Sequence, residues 1–220
     1  MSEVFTLLLQ LEGPMQSWGY RSRFDYRDTA LEPTRSGVVG LICASMGIAR
    51  GEPISRFDNI RMGVRVDREG RTEHDYHTAL DVIKADGSGT DTVVSHRDYL
   101  ADASFSVGLE SIDRVLLEDI AIALLSPRWI LFLGRKAFPL SVPPIIDPEN
   151  PVKPGSLEEH LLSGKPNKRV VLEAPNGERT QHDWPLCFSE RRFKPRHVTV
   201  RFTQTSEIPR GKEEPCISPS

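Results

Sequence analysis

His77 follows Tyr76, and His96 precedes Arg97 and Asp98, placing imidazoles beside a phenol and beside charged groups. That combination could cut RNA by general acid–base chemistry: a base takes the proton of a ribose 2′-OH while an acid protonates the departing 5′-oxygen. A lone histidine in a strand more often packs or hydrogen-bonds, so both uses stay open at the level of the residues. No P-loop, GxSxG, HExxH or paired CxxC motif occurs, so the strong signatures of NTPases, hydrolases and metalloenzymes are missing. Cys43, Cys187 and Cys216 form no CxxC pair and leave one over, which fits a reducing compartment and speaks against zinc. No metal and no cofactor is expected.

Three short segments offer binding chemistry instead. Gly13-Pro14-Met15-Gln16-Ser17-Trp18-Gly19 sets an amide and an indole after a turn. Trp18 could stack on a base and Gln16 could read a base edge, or the indole could fold back on the core. Pro33-Thr34-Arg35-Ser36-Gly37 brings a cation and hydroxyls to the start of a helical pattern. There, free backbone N–H groups favour a phosphate, although an ordinary capping sequence reads the same way. Leu133-Gly134-Arg135-Lys136 joins a permissive glycine to two cations, a phosphate cradle of low specificity. Basic residues gather at Arg21, Arg23, Arg27 and Arg35, at Arg128, Arg135 and Lys136, and at Arg191, Arg192, Lys194 and Arg196. The net charge is only −3, so any nucleic-acid site must be local.

The elements that would position these groups follow from periodicity. Val4 to Leu11 is a short apolar run closed by Gly13-Pro14, a buried strand too short to span a bilayer and without a basic flank that would make it a signal peptide. Ser36 is placed to cap a helix running to about Arg50, with Gly51 past its end. Its three internal glycines, Gly37, Gly40 and Gly47, suggest a close neighbour. Ile60 to Val66 alternates as a half-buried strand. A hairpin continues through Asp75 to Thr78 and carries the polar, glycine-rich tip Ala85 to Thr90, giving a projecting thumb at about 80–98. Alternation returns at Ala103 to Leu109, followed by a helix from about Asp113 to Leu125 with Ser111 as cap and Pro127 as stop, and a strand from Trp129 to Leu133. The order strand, helix, strand, strand, helix, strand predicts an α+β, ferredoxin-like fold, a modified RNA recognition motif whose open sheet face can carry bases. Residues 1–140 form this domain. The proline-rich stretch after Pro139 marks a boundary, 141–203 reads as a small β-rich appendage, and 204–220 as a disordered tail. The chain is expected to be cytoplasmic, with no membrane contact.

Four blocks in order resemble the Cas-five family of CRISPR proteins, in the type I-E branch that supplies a subunit of Cascade. They are Leu11 to Gly19; Pro33 to Leu41; Asp75 to Thr78 with Arg97 to Phe105; and Ser126-Pro127-Arg128 with Leu133 to Lys136. The resemblance implies a non-catalytic subunit that caps the backbone filament and holds the repeat-derived 5′ handle of the guide RNA (crRNA). Backbone and large subunits would be its partners, and target DNA would be met only through the assembled complex. It also implies an RNA-binding set: Met15, Gln16, Ser17, Trp18, Arg35, Ser36, Gly37, His77, Arg97, Tyr99, Arg128, Gly134, Arg135 and Lys136. Some relatives of another subtype cleave precursor RNA with Tyr, Lys and His, so a metal-independent endoribonuclease using Tyr76 and His77 is the alternative.

Overall fold

A computed structural model describes residues 3–19, 25–164 and 166–204. Arg21, Arg23 and the tail expected to be disordered lie outside them, apart from Gln204. Among the described residues the chain is mixed α and β, mostly strand. β1 (Phe5–Glu12) sends Leu7, Leu9 and Leu11 into the core, and each such burial is worth about 1.5–3 kcal/mol. It lies between β7 (Ser104–Ser111) and β8 (Val152–Pro154), and β7 pairs in turn with β4 (Arg61–Arg68). The sheet continues beyond β4 through β9 (Arg169–Glu173), β11 (Arg192–Phe202) and β10 (Arg179–Cys187), antiparallel throughout. The region past residue 140 therefore continues the main sheet and does not stand beside it as an appendage. Pairings between residues about 100 positions apart, such as Gly63 with Leu172, leave no local signal in the sequence.

Trp129 to Leu133 forms no strand. The chain runs on as a strap along the free edge of β1, where Gln10 N donates to Pro144 O and Ile146 N to Leu8 O, until β8 takes up regular pairing. Prolines there remove donors, so the strap covers the edge without building a full ladder.

α1 (Arg35–Met46) and α2 (Arg114–Leu125) pack on one face of the sheet. Both N-caps lie two residues from those expected, and α1 stops at Gly47, four residues before Gly51. Thr34, not Ser36, accepts from Gly37 N at the start of α1, Gly47 ends it at φ 73°, and Asp113, not Ser111, accepts from Leu116 N at the start of α2. The close neighbour of Gly37 is Trp18: a Cβ there would sit 2.7 Å from the indole.

The opposite face is closed. Gly63 and Gly108 face each other across β4 and β7 and leave a pit filled by Leu157 and Leu161 of α3 (Leu157–Leu161), held by a Ser156 and Glu159 capping box. Polar ladders finish that face, with Ser104 bridging Gln10 and Glu12, and Ser106 bridging Arg65 and Asp67. The expected open platform for bases is thus occupied by the chain's own leucines and carboxylates.

β5 (Arg71–Ile83) and β6 (Thr90–Ala101) form a hairpin longer than expected, starting nine residues before residue 80. Short strands β2 (Met15–Gln16) and β3 (Tyr26–Arg27) pair along the other edge of β6. Most of the hairpin is exposed on both faces, including Leu80 and Ile83.

Candidate nucleic-acid interface

The predicted residues divide into two groups. Gln16 and Trp18 are 0% and 1% exposed. The Trp18 indole N–H donates to Gln16 Oε1 at 3.1 Å, and Gln16 Nε2 donates to the carbonyls of Leu11 and Ala103. Neither presents an edge or face to a base; they fasten the turn after β1 to the core. Arg35 is 2% exposed, and its Nη atoms donate to Glu173, Ile60 O and Phe57 O. The donor at the start of α1 is also used, because Arg35 N donates to Asp183 Oδ2 at 2.8 Å. The expected phosphate site at this helix terminus is filled by the protein's own carboxylate, and Arg196 closes the network onto Asp183 and Glu173. Ser36 and Gly37 are half-buried beside it. Arg128 lies elsewhere, its side chain over Gly47 and its N–H on Ser45 O.

The other group meets at the base of the hairpin. Between β2 and β3, the outer edge of β6 leaves the Asp98 carbonyl unpaired by any strand. Arg135 Nη2 fills the gap at 2.7 Å, joined by Ser17 Oγ at 3.4 Å. Arg135 also reaches the Arg27 carbonyl at 3.4 Å and lies over Phe138, whose ring packs on Tyr99. Gly134 makes this approach possible: at φ 89°, a Cβ would fall 1.8 Å from Ser17 O. Met15, Ser17, Arg97, Tyr99, Gly134 and Arg135 are thus neighbours, with Lys136 exposed one residue further on. Arg27, present in the sequence only as one of many basic residues, joins them through parallel pairing of β3 with His96 and Arg97.

The charge of this cluster shows in Arg135, whose pKa is held below the ordinary arginine value by burial first, then by the like charges of Arg97 and Arg27. On the hairpin, Asp98 binds the Tyr26 hydroxyl at 2.6 Å and His74 Nδ1 at 2.5 Å, and the Asp98 bond is the main cause of a raised Tyr26 pKa. Tyr76, 64% exposed, meets His96 edge-on at 5.3 Å between ring centroids. His77, its neighbour in β5, points to the other face beside Asp75. The two side chains therefore lie on opposite faces of the hairpin.

A family model described as "CRISPR-associated protein (Cas_Cas5)" matches residues 6–199. The chain belongs to this Cas-five family. A curated relative, the CRISPR system Cascade subunit CasD of Escherichia coli (strain K12), is 35% identical over 153 residues, covering 62% of this chain and 68% of that one. A solved structure described as a CRISPR RNA-guided surveillance complex superposes with a TM-score of 0.78 at 32% identity, covering 90% of each chain. Another, described as a crystal structure of a Cas protein, gives 0.73 at 40% identity, covering 90% of this chain and 95% of that one. Together they place this Cas-five protein on the type I-E, CasD-like branch. Among its described residues no group of three or more His, Cys, Asp or Glu side chains could hold a metal ion, and no helix is long and apolar enough to cross a membrane.

Proposed function

We propose that this chain is a non-catalytic subunit of a type I-E Cascade in CRISPR antiviral defence, holding the 5′ handle of the crRNA at the base of its hairpin and capping one end of the backbone filament. The observation that carries the reading is the convergence of Arg27, Arg97 and Arg135 from three separate segments: Arg135 Nη2 reaches the Arg27 carbonyl at 3.4 Å, and β3 pairs Arg27 with Arg97. Asp75 and Asp98 lie close enough to answer part of this positive charge, and a single-stranded phosphate backbone is a partner suited to the rest. Tyr76 and His96 supply exposed rings beside the cluster, and Lys136 extends it. Four antiparallel strands in the order β8, β1, β7, β4, with α1 and α2 on one face, support a ferredoxin-like, modified RNA-recognition core. The hairpin would serve as the thumb, reaching along the guide toward the neighbouring backbone subunit, with the large subunit as a further partner and target DNA met only by the whole complex. The likeness to CasD supports the assembly role.

The full chain is tested by titrating labelled 5′-handle RNA over a series of salt concentrations. Each lost phosphate contact on a single strand removes about 0.7 from the log–log salt slope, so Arg97→Ala with Arg135→Ala should flatten it by about 1.4 and weaken binding at every salt concentration. Unchanged slope and affinity in the double variant would overturn the assignment of this surface.

A further inference from the structure

Arg27 reaches the cationic cluster on β3, a strand two residues long. A parallel pairing that short is a weak hold by itself. On the backbone, His96 N donates to Asp25 O at 2.7 Å. The side-chain tie is Tyr26, whose hydroxyl donates to Asp98 Oδ2 at 2.6 Å. The other carboxylate oxygen, Oδ1, meets His74 Nδ1 of β5 at 2.5 Å. An ionised carboxylate only accepts, so that ring nitrogen carries the proton, and the contact fixes the rotation that aims Oδ2 at Tyr26. One acid therefore clips β3 and β5 to β6 from both sides, while its backbone carbonyl receives Arg135.

Strand alternation puts the clip and the cations on opposite faces. Tyr26 and Asp98 share one face of the hairpin sheet, and Arg27 and Arg97, each the chain neighbour of one of them, share the other. A carboxylate close to a surface that grips phosphates opposes that grip through its charge. Asp98 is nonetheless buried at the point where β3, β5 and the Arg135 loop meet, and both of its carboxylate oxygens are engaged.

We propose that Asp98 is a positioning residue for RNA binding: its carboxylate, steadied by His74, anchors the Tyr26 hydroxyl and thereby sets Arg27 beside Arg97 on the phosphate-gripping face. The inference rests on the reading of that face as the site of the handle RNA.

The test titrates labelled 5′-handle RNA against the full chain over a series of salt concentrations. Tyr26→Phe removes the hydroxyl and no charge. It should flatten the log–log slope by about 0.7, the loss of one phosphate contact, as Arg27→Ala does. Added to Arg27→Ala it should flatten the slope no further, whereas added to Arg97→Ala the losses should sum to about 1.4. Asp98→Ala and Asp98→Asn both remove a negative charge, which alone would tighten binding to a polyanion. Asp98→Ala should nevertheless bind more weakly than the wild type, and Asp98→Asn, which can still hold both partners, should not. A wild-type slope in Tyr26→Phe or in Arg27→Ala, a further loss when the two are combined, or Asp98→Ala binding as tightly as Asp98→Asn would overturn the positioning role while leaving the RNA site standing. An unchanged slope in Arg97→Ala with Arg135→Ala would instead remove the RNA site, and the positioning role with it.

Discussion

Replacing Arg35 with alanine would leave Glu173 in the interior with Arg196 as its remaining ion-pair partner, a loss of about 3–5 kcal/mol for a broken buried pair, while Asp183 would keep both Arg196 and the backbone N–H at position 35. Replacing Arg135 removes a half-buried cation whose main partners are carbonyls, so it should lower RNA affinity far more than stability. Urea unfolding and handle titration on both variants would separate the two arginines, and equal stability losses would refute the division. A phosphate-binding use of Arg135 was suggested by Gly134 and Lys136 beside it, but its hold on the Asp98 carbonyl 37 positions away was not legible, nor was the pairing of Arg35 with Glu173, 138 positions away. Trp18 and Gln16 were legible as a pair of interest, but only the approach of Gly37 decides that the indole turns inward. A further prediction concerns Cys43, whose thiol is pushed up to about 11 from 9.0, mainly by burial. The folded form favours the protonated thiol, so its stabilising contribution is whole below pH 9 and is lost as pH rises from there through 11. Unfolding midpoints should decline across that window, and less steeply in Cys43→Ala.

Among the elements, α3 depends on two facing glycines. A Cβ at Gly108 would lie 2.5 Å from Leu157 Cδ2, so Gly108→Val should overfill the pit, destabilise by about 1–3 kcal/mol and loosen α3 enough for protease to cut near residues 156–162. An intact α3 at wild-type stability would contradict this packing. The hairpin behaves oppositely, since two strands exposed on both faces have little burial to hold them. Hydrogen exchange should be fast over residues 78–94, slow in β1 and β7, and slowed in the hairpin only within the assembled complex. Among the first 125 residues β1, β4, β7, α1 and α2 were legible because their periods of two and 3.6 residues are clear, whereas β2 and β3, two residues each, are too short to show a period. β10 and the strap were not, because bulges and prolines erase periodicity there.

At the scale of the whole molecule, the sheet is finished by its last third. Cutting after residue 140 would remove β9 from the edge of β4, and the strap and β8 from the edge of β1, baring two rows of backbone groups at once. A fragment ending there should self-associate at micromolar concentration in light scattering, where the full chain stays dispersed. The proline run reads as a linker in the sequence because composition reports stiffness and not destination.

β6 runs unbroken from Thr90 at the hairpin tip to Ala101, and on the way it carries Arg97 and the carbonyl that Arg135 grasps. In the proposed assembly, a neighbouring protein that ordered the exposed tip would stiffen the same strand that carries the cationic cluster. Seating of that neighbour would thereby be coupled to the tightness of the proposed grip on the nucleic acid.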